Sequence, residues 1–177
     1  MRILGIMGSP RKGGNTDTLV DAVLKAAGAA GHTTEKIRLG EHEIRPCVDC
    51  RICKTEPFVC PVDDGMPEII GRLEVADVLV LGTPVYWCGP TGQMKTFFDR
   101  LRPFYSDRRL SGKRAILTTA AADGPSESDL VVEMFRRSLG FLDVELVGFV
   151  QGKAYDRGEI HLDVDAMAHA QALGATL

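Results

Sequence analysis

Short apolar runs alternate with amphipathic stretches five times along the chain. Ile3-Leu4-Gly5-Ile6-Met7 is an apolar run ended by Gly8 and Pro10, which predicts a buried strand. From Thr16 to Ala30 the apolar residues Leu19, Val20, Val23, Leu24 and Ala27 recur at helical spacing. Thr34–Leu39 predicts a second strand, less buried because Glu35, Lys36 and Arg38 interrupt it. Met66–Leu73 predicts a short helix, with Asp64 as its N-cap and Pro67 tolerated in the first turn. Val75–Gly82 reads as the third strand, stopped by Thr83-Pro84, and Gln93–Leu101 as a helix with Met94, Phe97, Phe98 and Leu101 on one face. Ala115–Thr119 is the fourth strand. Ser126 and Asp129 then give a Ser-x-x-Asp helix start, followed by Leu130, Val131, Met134, Phe135, Leu139 and Leu142. Val144–Val150 is the fifth strand and Val164–Leu173 a closing helix.

Strands separated by helices of this length imply right-handed βαβ units and a parallel sheet covered on both faces. A doubly wound α/β fold of five parallel strands follows, as one domain over residues 1–177 with a Cys-rich insertion at about 45–62. In such folds ligands bind beyond the carboxyl ends of the strands, so the loops after strands one, three and four carry the candidate chemistry.

Composition narrows this picture. The 177 residues are 45% hydrophobic and 25% charged, with 21 Lys+Arg against 24 Asp+Glu, which fits a folded domain and excludes disorder or low complexity. A net charge of -3 gives no general reason to bind nucleic acid or an anionic membrane. Val78–Leu81 is the longest strongly apolar stretch, far short of the roughly 20 residues of a membrane span. The start of the chain shows no signal-peptide pattern, so a cytoplasmic location is expected.

The first loop, Gly8 to Thr16, opens a helix, where backbone N–H groups and the helix dipole favour an anion. Ser9, Asn15 and Thr16 add neutral donors and Arg11 adds charge; the plainer reading is a Gly-rich connection with Asn15 or Thr16 as an N-cap. Neither the G-x-x-x-x-G-K-[ST] phosphate loop nor the G-x-G-x-x-G fingerprint is present, so a monophosphate suits the loop better than a nucleoside triphosphate. The third-strand loop, Thr83 to Gly92, sets Trp87 beside Tyr86, able either to clasp a flat heterocycle or merely to cover the sheet end. Thr119 to Gly124 offers small residues that let a ring approach the backbone. Together the three loops point to FMN.

Cys47-x2-Cys50-x2-Cys53-x6-Cys60-Pro61 puts four of the five cysteines within fourteen residues. Three Cys at x2 spacing followed by Cys-Pro is similar to bacterial ferredoxin runs, and the six-residue gap lets the fourth return to the same cluster. Structural zinc more often uses two separated Cys-x2-Cys knuckles. Free or redox-active thiols are the third reading.

Ile6 to Thr16, Ala76 to Trp87 and Gly92 to Arg100 resemble the NADPH-dependent FMN reductase family, over residues 1 to about 120. The cysteine run resembles its iron–sulfur flavoprotein branch. That resemblance implies a flavodoxin-like fold, bound FMN, a [4Fe-4S] cluster on Cys47, Cys50, Cys53 and Cys60, and a homodimer or homotetramer with flavin near a subunit interface. It also implies that Ser9, Arg11, Asn15 and Thr16 hold the phosphate and that Pro84, Val85, Tyr86 and Trp87 line the ring. Thr119, Ala120, Asp123 and Gly124 are matched by position.

The expected activity is an FMN-dependent oxidoreductase moving hydride or electrons between NAD(P)H or a reduced carrier and a free flavin, quinone or redox protein. No side chain is needed as acid, base or nucleophile, and none is assigned as catalytic. A cluster-free NAD(P)H:quinone or FMN reductase, a non-enzymatic flavodoxin-type carrier and a metal-stabilised binding protein stand beside it. His32, His42, His161 and His169 form no constellation, and Asp63-Asp64 reads as a helix cap. The basic stretch of Arg100, Arg102, Arg108, Arg109, Lys113 and Arg114 reads as a solvated face, with contact to a dinucleotide phosphate or an acidic electron partner as the alternative. Cys88 reads either as a neighbour of the flavin or as a small buried hydrophobe.

Overall fold

The computed structural model describes residues 1–177. Five strands, β1 (Arg2–Met7), β2 (Thr33–Arg38), β3 (Val78–Gly82), β4 (Arg114–Ala121) and β5 (Glu145–Lys153), form one sheet in the order β2-β1-β3-β4-β5. All four pairings are parallel. This is the flavodoxin-like order, with its switch point between β1 and β3.

Side chains alternate across the strands and feed one apolar cluster on each face. Ile3 and Met7 of β1 pack with Leu19, Val20, Val23 and Ala27 of α1 (Asn15–Ala29) and Ala166 and Ala170 of α6 (Val164–Ala175). Leu4 and Ile6 face the other way, toward α2 (Met66–Val75), α3 (Gly92–Asp99), α4 (Arg102–Asp107) and α5 (Pro125–Phe141). Every residue of β3 is buried, as a strand covered on both faces requires. No helix is long and apolar enough to cross a membrane.

Several local expectations need correction. Val75 ends α2 instead of opening β3, and α4 is a further helix beyond the expected Gln93–Leu101 one, in the stretch read as a basic face. The Ser126–Asp129 start is wrong: Pro125 occupies the first turn, Gly124 is the N-cap, and Ser128 and Asp129 instead accept or share bonds with Gln151. Asp64 does bond the Met66 N–H (2.9 Å), but Gly65 holds the N-cap position of α2. Arg100 does not belong to a solvated face, since it is 1% exposed.

Candidate functional site

Beyond the carboxyl end of β1, the chain turns through Gly8–Gly14 into α1. The turn is anchored at its base: the Gly8 N–H donates to the Gly82 carbonyl (2.7 Å), and the Thr91 hydroxyl donates to the Gly8 carbonyl (2.7 Å). Gly13 takes a positive φ of 63°, and its N–H donates to Asp17 (2.7 Å). Gly14 caps α1 but brings no side chain, so the N–H groups of Asn15, Thr16 and Asp17 have no acceptor in the chain. Thr16 is buried, and its hydroxyl makes no hydrogen bond either. Neither Asn15 nor Thr16 is therefore the N-cap.

An anion near these donors would meet the buried carboxylate of Asp17 were it not already neutralised. Arg38 donates to it (2.7 Å) and Lys36 pairs with it (2.9 Å). Burial opposes ionisation of Asp17, but the bonds from Arg38, Lys36 and the Gly13 N–H outweigh it and hold the carboxyl below its ordinary value. The first turn of α1 is left with its positive end unspent.

The loop after β3 continues along β4, with the Thr83 N–H on the Thr118 carbonyl (3.1 Å) and the Val85 N–H on the Ala120 carbonyl (3.4 Å). Tyr86 and Gly89 then exchange backbone bonds around a two-residue turn, in which Trp87 (φ 49°) and Cys88 (φ 60°) are both left-handed. The turn throws Trp87 fully into solvent, at 101% relative exposure, so within one chain it covers nothing. Cys88 is exposed as well, not a small buried hydrophobe.

Between these loops lies an open cavity of about 240 Å³. Of the residues singled out in the sequence, Ser9, Arg11, Asn15, Thr16, Pro84, Val85, Tyr86 and Ala120 line it; Trp87, Thr119, Asp123 and Gly124 do not. Thr119 is buried with its hydroxyl unpaired, the Asp123 N–H is bonded to Glu127, and Gly124 caps α5. Glu127, Ala154 and Tyr155 also line the cavity. The segment after β5 went unnoticed, although a fifth parallel strand ends at the same sheet edge. Asn15 ties that segment down: its Nδ2 donates to the Asp156 carbonyl (2.8 Å), and its Oδ1 accepts from the Gly158 N–H (2.9 Å). Arg157 donates to the carbonyls of Lys12 and Gly13 from the other side. A larger cavity of about 440 Å³ lies away from this edge, between Phe98, Tyr105, Met134 and Phe141, and contains none of the candidate residues.

The cysteine segment between Glu43 and Gly65 is irregular apart from one 3-10 turn at Ile52–Lys54. Asp49, Arg51 and Phe58 are all left-handed there. Its neck is closed by the Gly65 N–H on the Glu43 carbonyl (2.8 Å) and the Arg45 N–H on Asp64 (2.9 Å). Cys53 is buried, Cys60 half-buried, and Cys47 and Cys50 exposed. Burial first, and then the sulfurs of Cys60, Cys47 and Cys50, push the Cys53 thiol up. No three of the chain's Cys, His, Asp or Glu side chains converge at metal-binding distance.

The sequence profile described as NADPH-dependent FMN reductase matches residues 1–152. An iron–sulfur flavoprotein of Methanocaldococcus jannaschii is 39% identical over 132 residues, 73% of this chain and 68% of that one. A Bacillus subtilis protein with the provisional name NAD(P)H-dependent FMN-containing oxidoreductase YwqN is 30% identical over 181 residues, 98% of this chain and 96% of its own. Among solved structures, the Trp repressor binding protein of Bacillus subtilis superposes with a TM-score of 0.74 at 25% identity, covering 98% and 99% of the two chains.

Proposed function

The chain belongs to the NADPH-dependent FMN reductase family and is an NAD(P)H-dependent oxidoreductase, and from that premise we propose how it holds FMN, what its cysteines do and how it assembles. When bound, FMN supplies the hydride and electron chemistry through its ring. The residues of the chain fit such a cofactor. The observation that carries this reading is the set of unpartnered donors at the start of α1, beside a cavity walled by small and aromatic side chains. The N–H groups of Asn15, Thr16 and Asp17 and the Thr16 hydroxyl bind the phosphate, with Ser9 and Arg11 beside them. Asn15 contributes mainly by fixing the Asp156–Gly158 backbone. Pro84, Val85, Tyr86 and Ala120 line the ring, and Tyr155 faces it from the segment after β5. Trp87 reaches a flavin only across a subunit contact, and Thr119, Asp123 and Gly124 support the loop from behind. The cavity is open on one side and Trp87 is fully exposed beside it, and a second copy of the chain covers that side in a dimer or a dimer of dimers.

For the cysteines we propose a [4Fe-4S] cluster on Cys47, Cys50, Cys53 and Cys60, the cofactor in the name of the Methanocaldococcus relative. Four soft thiolate donors in one short segment are chemically suited to it. Held by these four residues, the cluster would supply one-electron transfer beside the flavin. The exposure of Cys47 and Cys50 favours one second reading, a cluster-free NAD(P)H:quinone or FMN reductase with free thiols. Iron, sulfide and flavin analysis after anaerobic reconstitution decides between them. About four iron atoms per chain, lost in Cys50→Ala while FMN is retained, supports the cluster; stoichiometric zinc, or neither metal, sinks it.

A further inference from the structure

Asp17 is the third residue of α1, inside the turn proposed to hold the FMN phosphate, and it is 1% exposed. A carboxylate there competes with the phosphate for the positive end of the helix and repels it. It also shapes the turn: its Oδ2 accepts from the Gly13 N–H (2.7 Å), where that glycine holds its positive φ of 63°.

Two cations of the neighbouring strand meet this acid. Lys36 and Arg38 stand two residues apart in β2, so both side chains leave the sheet on the α1 face, while Ile37 between them packs into the other core. Lys36 Nζ donates to Asp17 Oδ1 (2.9 Å) and Arg38 Nη2 to Asp17 Oδ2 (2.7 Å). Lys36 is shared with Asp21, one turn further along α1 and open to solvent. Arg38 has Asp17 as its one acid, and its Nη1 is buried with no acceptor. Neither cation lines the cavity. A buried ion triad contributes little to stability, because desolvation of its members offsets their attraction, so its presence under the anion turn asks for a role beyond folding.

We propose that Lys36 and Arg38 are positioning residues for the FMN phosphate, acting through Asp17. They turn the acid that shapes the turn from a repellent into a neutral support, and so set how much the phosphate adds to flavin affinity. The inference rests on the FMN reading above.

The test compares FMN with riboflavin, which carries the same ring and ribityl chain without the phosphate, by fluorescence titration of the FMN-free protein. The ratio of the two dissociation constants isolates the share of the phosphate, because a loosened fold or an altered ring site weakens both flavins alike. Arg38→Gln leaves Asp17 charged beside a phosphate of about −1.5 to −2 charges, so FMN should lose on the order of tenfold of its advantage over riboflavin. Lys36→Gln lowers the advantage by less, since that cation is shared. Asp17→Asn keeps an oxygen for the Gly13 N–H and frees both cations, so the advantage rises; with Arg38→Gln added it returns toward the wild-type value. If Arg38→Gln does not fold, Lys36→Gln and Asp17→Asn decide by the same ratio. Variants that weaken both flavins equally give the triad a structural role only, which overturns the inference and leaves the FMN reading standing. An advantage that falls in Asp17→Asn overturns it as well. Wild-type protein that binds riboflavin as tightly as FMN overturns the phosphate site itself.

Discussion

Asn15 and Thr16 stand side by side in the candidate phosphate loop, yet the structure gives them separable jobs. The Asn15 side chain accepts from the Gly158 N–H (2.9 Å) and donates to the Asp156 carbonyl (2.8 Å), both parts of the fold before any ligand arrives. Asn15→Ala strands the part-buried Gly158 N–H and takes one of two donors from the Asp156 carbonyl, which keeps the Glu159 N–H (3.1 Å), at a cost of about 1–3 kcal/mol. In a chain of 177 residues each kcal/mol moves Tm by about 2–4 °C, so the FMN-free protein should melt about 2–12 °C lower. Thr16 bonds to nothing in the chain. Thr16→Val removes its hydroxyl at nearly constant shape, so the FMN-free Tm should hold within about 2 °C. The missing donor to a charged phosphate is worth about 1.5–3 kcal/mol, which weakens FMN binding roughly 10- to 150-fold. Differential scanning calorimetry of the apoprotein and fluorescence titration with FMN read the two effects independently. The reasoning fails if Thr16→Val lowers the apoprotein Tm as much as Asn15→Ala, or if it binds FMN as wild type does.

Acid should act through Asp64: burial opposes its ionisation, but Arg100 and the N–H groups of Arg45 and Met66 bring its pKa down to about 2. Against an unfolded value of 3.8 this contributes about 2 kcal/mol, fully present above pH ~4 and lost as pH falls through about 2. Urea unfolding should therefore show a wild-type advantage over Asp64→Asn that narrows between pH 4 and pH 2, and a constant gap would contradict it. Gly174→Ala should destabilise by about 1–3 kcal/mol, because a Cβ there would sit 2.2 Å from the Val23 carbonyl where α6 packs on α1; an unchanged Tm would refute that packing. Replacing Trp87-Cys88 with Asn-Gly should raise Tm by about 2–6 °C by relieving two left-handed residues, and a fall in Tm would show that the turn is not strained. Light scattering at micromolar concentration should report a mass near two or four chains, with FMN binding tightening as protein concentration rises. A monomer with concentration-independent affinity would mean that the site is complete in one chain.

The sheet and both its covers were legible because their signal is periodic. Leu19, Val20, Val23, Leu24 and Ala27 could only be one face of a helix, and all five are buried in α1. The turn from β1 into α1 was legible for the same local reason, since Gly8 to Thr16 leads directly from strand to helix. What escaped depends on residues far apart in sequence. Arg100 stood in a basic run and looked solvated; its burial comes from Asp64, 36 residues earlier, and from the Arg45 carbonyl. Tyr155 and the Asp156–Gly158 backbone reach the site because β5 ends at the same sheet edge and Asn15 binds them across more than 140 positions. The Tyr86-Trp87 pair suggests a ring clasp, but the Thr83–Gly92 loop carries no Asn-Gly dipeptide to announce the tight turn that sends Trp87 outward. Ser126 misled because Pro125, one residue earlier, is itself a first-turn residue.

The account turns on NAD(P)H delivering electrons to an FMN seated at the carboxyl edge of the sheet. Anaerobic titration of FMN-loaded protein with NADPH and with NADH, followed in the visible spectrum, measures that directly. One equivalent of at least one of them per bound FMN should bleach the flavin band, and Thr16→Val should weaken flavin binding while leaving the fold intact. Bound flavin that neither nucleotide reduces, or a protein that retains FAD in preference to FMN, would contradict it.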